Sequence, residues 1–288
     1  MSTPGSRLSR RAGALLREAL EAEIAAAGGG PAGIEIKPSA IGGDLVTRVD
    51  HGVEARLMEA LPRLLPGSAV LGEEAYDPAT ARAVAGSGQP LWLLDPLDGT
   101  LNFASGLPIW GASLALVEHG RPLLGLVYDP SADALYGAEA GQGAWVSTRN
   151  APEQTLKWSA ERAVRAPVAI SSGFLMRREA DPATFAPDWL GRRFRILGGQ
   201  ALQLCWAAEG RLRLTLNAEA RIWDDAAGAL ICTEAGAGYA ALAPGGLYPL
   251  DPGGAALAGG EIFSVAGDPA LGDQAIEAFG AAVQKGQT

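Results

Sequence analysis

Residues 92–103 read WLLDPLDGTLNF, an apolar strand that runs without interruption into two aspartates three positions apart, followed by a glycine and a threonine able to open a helix. Carboxylates at a strand end are hard oxygen ligands of the kind Mg²⁺ takes, and main-chain N–H groups at a helix start bind phosphate. The segment therefore points to a metal and an anion held side by side. Taken singly, Asp95-Pro96 and Asp98-Gly99 would be ordinary turn formers; the argument for a site rests on the whole string.

Further strands and helices must surround this one. Upstream, apolar residues recur at Leu8, Ala12, Leu15, Leu16, Ala19, Leu20 and Ile24, a helical stripe ended by Gly28-Gly29-Gly30-Pro31. A second stripe, Val53, Leu57, Leu61 and Leu64, follows Asp50, which stands where an N-cap would stand, and stops at Pro66-Gly67. A Gly/Pro/Ser loop carrying Lys37 joins the two. Short apolar runs then read as strands at 69–71, 91–94, 110–117, 123–128, 134–136 and 144–146, with His119-Gly120 as a hairpin turn and 79–88 as a surface loop.

The polar stretch at 150–154 divides an N-terminal half, 1–150, from a C-terminal half, 151–288. Past it come strands at 167–170, 194–197, 212–216 and 261–265. Between and after them lie a polar loop through Arg177 and Arg178, helices at 200–209 and 225–234, and a last helix reaching 283. Two α/β sublayers sharing one interface fit this alternation.

Composition narrows the function classes. Across 288 residues the chain is 48% apolar with a formal net charge of −9, too apolar for a disordered chain and too acidic for a sequence-independent grip on nucleic acid or an anionic membrane. Lys37, Lys157 and Lys285 are the only lysines, and the arginines never run longer than a pair. No stretch approaches the ~20 apolar residues of a spanning helix, and Arg7, Arg10, Arg11 and Arg17 interrupt the opening apolar positions, so a cytoplasmic address is expected. Cys205 and Cys232 sit in apolar surroundings and read as small buried hydrophobes. With only His51 and His119 as histidines, Ser-His or Cys-His chemistry is poorly supplied.

DPLDGTLNF, taken with Gly72-Glu73-Glu74 upstream and Trp223-Asp224-Asp225-Ala226-Ala227-Gly228 downstream, resembles the inositol monophosphatase family of lithium-sensitive, Mg²⁺-dependent phosphatases. Haloacid-dehalogenase-type phosphotransferases also place two aspartates at a strand end, but as D-x-D rather than the D-x-x-D found here. The resemblance implies the α/β sugar-phosphatase fold with alternating helix and sheet layers (αβαβα), a homodimer, inhibition by Li⁺ and two or three Mg²⁺ ions. It makes Glu73, Asp95 and the carbonyl of Leu97 ligands of a first metal, and Asp95, Asp98 and Asp224 ligands of a second. Thr100 would orient the attacking water with Asp50 as its acidic partner, Glu73 would also touch that water, and Gly99 and Thr100 would offer N–H groups to the phosphate. Glu74 and Asp225, beside these positions, would tune electrostatics or bond the loops, and Trp223 would pack beneath.

The chemistry asks for the same set. Phosphomonoester hydrolysis needs a hydroxide-like nucleophile and compensation of charge on the phosphoryl and leaving oxygens, which carboxylate-held metals supply without His or Lys. The match weakens where the resemblance places substrate choice. Here the helix opens on Gly198-Gly199-Gln200, and Asn217 stands where the family's polyol-binding Glu would fall. Arg213 and Arg221 instead bring positive charge toward the leaving-group region, or are surface arginines. The expected activity is thus hydrolysis of a small phosphorylated polyol, sugar or nucleotide by metal-activated water. A 3′(2′),5′-bisphosphate nucleotidase shares that mechanism, and a non-catalytic binding or regulatory protein would keep only the fold.

Overall fold

The computed structural model describes residues 5–285 except 32, 38–43, 188, 189, 192, 243–246, 253 and 255, so the middle of the Gly/Pro/Ser loop lies outside the described residues. Helix α1 (Arg7–Ala26) starts at Ser6, whose Oγ accepts the Ser9 N–H, and packs along α2 (Arg48–Leu64). The short strands β1 (Glu35–Lys37) and β2 (Asp44–Val46) pair antiparallel between them. The N-cap of α2 is Thr47 rather than Asp50. Asp50 is the third helical residue and closes a capping box by accepting the Thr47 N–H at 2.9 Å, which satisfies two of the helix's orphan donors reciprocally.

A seven-stranded sheet follows in simple chain order: β3 (Ala69–Gly72), β4 (Leu91–Asp98), β5 (Gly111–Glu118), β6 (Arg121–Asp129), β7 (Ala134–Glu139), β8 (Gly143–Thr148) and β9 (Ala151–Leu156). Only the β3–β4 pair is parallel. The crossover between them carries α3 (Pro78–Ser87), the segment expected to be a loop. Asp77 caps it, Pro78 opens it and Gly88 ends it in a left-handed conformation, but Ala81 alone is fully buried, so no apolar stripe marked the helix. The sheet also outlasts the expected division at residue 150, because β9 lies beyond it.

The five-stranded sheet is ordered β11 (Phe194–Arg195), β10 (Val168–Ile170), β12 (Leu214–Ala220), β14 (Ile262–Gly267), β13 (Gly238–Leu242). The short α5 (Ala160–Ala163) leads into it. The polar stretch through Arg177 and Arg178, read as a loop, forms α6 (Ser172–Ala180), capped by Ser171 and followed by α7 (Pro182–Phe185). Helices α8 (Gln200–Ala208) and α9 (Ile222–Ala235) lie between the two sheets, and α10 (Pro269–Lys285) closes the chain.

Five layers result. Helices α1 and α2 cover one face of the large sheet, α8 and α9 fill the space between its other face and the small sheet, and α6, α7 and α10 cover the small sheet's far side. All eight residues of β4 are buried, and its period of two divides them between layers. Trp92 and Leu94 join the core under α1 and α2, while Leu91 and Leu93 join the core around α8 and α9. The middle layer sits close: a Cβ on Gly125 of β6 would lie 2.5 Å from the carbonyl oxygen of Ala227 in α9. Among the described residues no helix is long and apolar enough to cross a membrane.

Candidate active site

Strand parity places Asp95 on the same face as Leu91 and Leu93, toward α9. The β4–β5 register then shifts between Asp95 and Asp98, and the Leu97 N–H turns back to the Asp95 carboxylate at 3.0 Å. Gly99 follows at φ +86°, a left-handed conformation, and a Cβ there would lie 2.8 Å from the Ile109 carbonyl oxygen. That turn starts α4 (Thr100–Ala104). Thr100 Oγ1 lies 2.9 Å from the Leu97 carbonyl and 3.2 Å from Asp50 Oδ1, which joins α2 to the end of β4.

Glu73 arrives from the neighbouring strand, directly after β3, with its N–H on the Leu94 carbonyl at 3.1 Å. Asp224 arrives from the middle layer, in the first turn of α9, its carboxylate accepting the Arg221 N–H at 2.7 Å. Ser113 of β5 donates to the carbonyl of Trp223 at 3.1 Å and ties this turn to the large sheet. Glu73, Asp95 and Asp224 each offer an oxygen, and the three oxygens lie within 4.8 Å of one another. Asp98 stands beside them with its carboxylate in the first turn of α8, accepting from the N–H groups of Gln200 at 3.0 Å and Ala201 at 2.7 Å.

Among the described residues no Lys or Arg pairs with Asp95, Asp98 or Asp224. Burial, then repulsion from Glu73 and the neighbouring aspartates, pushes the Asp95 and Asp224 carboxyls well above the usual range. Burial also raises Asp98, to about 6, against the lowering effect of its main-chain donors. Asp50 is raised by burial too, in spite of its bonds to Thr47. Such a cluster disfavours its own charge unless protons or cations compensate it, and oxygen-only donors match a hard divalent ion.

The residues singled out for substrate choice are placed differently from one another. Gly198, in a left-handed conformation, and Gly199, the N-cap of α8, sit beside Asn102 and Asp98. The Gln200 side chain turns inward, donating to Asp225 at 2.7 Å and Ser264 at 3.3 Å, so only its N–H reaches Asp98. Asn217 is buried and accepts the Glu219 N–H at 2.9 Å. Arg221 lies next to the site, but its guanidinium donates to the Gly259 carbonyl. Arg213 stands at the opposite end of β12, roughly 20 Å away at the rise of a strand, where its main chain pairs with Pro167 and Asp268. It therefore cannot bring charge to a leaving group beside Asp224.

Trp223 is packed as expected, against the Tyr76 ring at 4.8 Å. Both cysteines are free and buried. One acid escaped the sequence reading: Glu54, one helical turn beyond Asp50. Its carboxylate accepts the N–H groups of Glu74 at 2.9 Å and Ala75 at 2.7 Å, in the turn that follows Glu73. An acid embedded between Val53 and Leu57 of a buried stripe was the available signal.

Comparison with known proteins gives a consistent result. The family described as "Inositol monophosphatase family" matches residues 2–276. Inositol-1-monophosphatase SuhB of Mycobacterium tuberculosis is 36% identical over 216 residues, covering 74% of this chain and 73% of its own length. The Nus factor SuhB of Haemophilus influenzae is 33% identical over 201 residues, covering 67% of this chain and 70% of its own. A solved structure of Mycobacterium tuberculosis SuhB superposes with a TM-score of 0.64 at 26% identity, covering 95% of this chain and 93% of that one.

Proposed function

Since this chain belongs to the inositol monophosphatase family, we propose that it is a Mg²⁺-dependent phosphomonoesterase acting on a small phosphorylated polyol, sugar or nucleotide. The observation that carries this reading is the convergence of Glu73, Asp95 and Asp224 from three elements, beside a Thr100–Asp50 pair. Glu73, Asp95, the Leu97 carbonyl, Asp98 and Asp224 would hold two or three ions. Bound there, Mg²⁺ supplies positive charge to the phosphoryl oxygens and makes water a stronger acid.

The chain's own residues do the rest. Thr100 Oγ1 carries one proton and has two acceptors in reach, Asp50 and the Leu97 carbonyl. With that proton committed, its lone pairs accept a hydrogen bond from the attacking water and orient it. Asp50, made more basic by burial, is placed to receive the proton passed through the hydroxyl. The N–H groups of Gly99 and Thr100 would bind the phosphate. On the leaving-group side, Gly198, Gly199, Asn217 and Arg221 would shape the choice of ester, with the active form a homodimer.

Phosphate release from a panel of inositol, sugar, nucleotide and histidinol phosphates, with and without Mg²⁺ and Li⁺, tests the reading. Mg²⁺-dependent turnover of at least one ester that Li⁺ suppresses is the expected result; no turnover of any ester under saturating Mg²⁺ overturns it. A regulatory role is the second reading, favoured by the name of the Haemophilus influenzae relative. It predicts a stable fold with no hydrolysis in the same panel.

A further inference from the structure

Helix α2 offers two acids to the site, one turn apart. Asp50 reaches the Thr100 turn; Glu54 reaches the turn after Glu73. Glu54 is only 4% exposed, and no Lys or Arg among the described residues neutralises it. Its charge is met by main-chain donors: the N–H groups of Glu74 and Ala75, consecutive in the turn, point at its two oxygens at 2.9 and 2.7 Å. Two charge-assisted bonds on neighbouring residues fix both position and tilt of a peptide segment, as a single bond does not.

The other flank of the turn is held just as closely. The Glu73 N–H is pinned to the Leu94 carbonyl of β4, one residue before Asp95. At residue 72 an added Cβ would lie 2.1 Å from Glu54 Oε2, so the carboxylate lies directly against the main chain leading into Glu73. Glu73 is thereby suspended between β4 on one side and Glu54 on the other.

We propose that Glu54 is a positioning residue for the cation site: it aims the Glu73 carboxylate at Asp95 and Asp224 by gripping the turn through its main chain. Groups that orient metal ligands without touching the metal typically change its affinity by about 10–100-fold when altered. Glu54 is not a ligand in this assignment, and its removal leaves Thr100, Asp50 and Asp98 in place.

The inference rests on the proposed cation site, and the test separates the two. Glu54→Gln preserves size, but its amide group opposes one of the two N–H donors. Calorimetric titration of the whole protein with Mn²⁺, alone and without substrate, is expected to show affinity about tenfold weaker in Glu54→Gln. The Mg²⁺ concentration for half-maximal phosphate release should rise by a similar factor, with kcat at saturating Mg²⁺ within about threefold. Glu54→Asp, which keeps the charge but withdraws it by one methylene, should fall between the two and serves if the glutamine variant does not fold. Mn²⁺ affinity within twofold of wild type, with only the melting temperature lowered, overturns the proposal. If wild type binds Mn²⁺ yet releases no phosphate, the phosphatase reading fails while the role of Glu54 stands or falls by the titration.

Discussion

Gln200 Nε2 donates to Asp225 Oδ1 at 2.7 Å across the contact between α8 and α9, with both side chains sealed from solvent. Tyr239 donates to the other Asp225 oxygen at 2.9 Å. Asp225 directly follows Asp224, and the Gln200 N–H holds Asp98, so two carboxylates of the site are linked by a bond that never enters it. Asp225→Ala would strip an acceptor from the buried Gln200 amide and the half-buried Tyr239 hydroxyl, at about 1–3 kcal/mol each when no water replaces it. A loss of about 2–6 kcal/mol in urea unfolding is expected, with Asp225→Asn losing less because one acceptor survives. A change within 0.5 kcal/mol, on the order of measurement scatter for neutral sites, would show the network to be inert.

Thr100 is the hydroxyl that faces both Asp50 and the Leu97 carbonyl. Thr100→Val keeps the shape and removes the oxygen, so kcat should fall by about 10²–10⁴-fold, the usual worth of positioned proton transfer. Thr100→Ser should retain turnover within about tenfold. Equal rates in the two variants, measured by phosphate release at saturating Mg²⁺, would remove the hydroxyl from the mechanism.

Asp98 should be unusually intolerant of its amide. Its two oxygens accept from the N–H groups of Gln200 and Ala201, and an Asn would turn an NH₂ toward one of them. Asp98→Asn is expected to cost about 1–3 kcal/mol in unfolding experiments and to remove most turnover. Near-normal phosphate release at saturating Mg²⁺ would count against Asp98 as a ligand.

The acids of the site also set a pH dependence. Buried Asp95 and Asp224 are raised well above the carboxylate range and Asp98 to about 6, so without cations the native state binds more protons than the unfolded chain between about pH 4 and 6. In that window the contribution of these groups to stability declines as pH rises through their native values. Divalent cations bound at the proposed site would take the place of those protons, so they should stabilise most at high pH. The melting-temperature difference between Mg²⁺-saturated and EDTA-treated protein should therefore widen from pH 5 to pH 7.5. A constant or narrowing gap would contradict the coupling.

What the chain disclosed about itself depended on how its groups act. Asp95, Leu97, Asp98, Gly99 and Thr100 fall within six consecutive positions, and the roles expected of them could be read because spacing and residue type both carry them. Glu54 bonds main-chain N–H groups twenty residues away, and any residue at 74 or 75 except proline would supply them, so its place in the buried stripe marks an unusual acid without naming its partner. Gln200 was legible as a position but not as a direction: its side chain and its N–H serve different partners. Arg213 and Arg221 are close in sequence, yet a full strand keeps them apart. The layers followed from alternating apolar runs, while α3 and α6 did not, because each buries only one side chain fully, Ala81 and Phe174.

Gly125 gives this architecture a fixed gauge. Where it meets Ala227, main chain rests on main chain, and no side chain lies between to change rotamer and alter the spacing. The helix that carries Asp224 is thus set at a hard stop against the sheet that carries Asp95. Whatever occupies the space between those carboxylates meets two banks held apart by a backbone contact that the acids themselves take no part in.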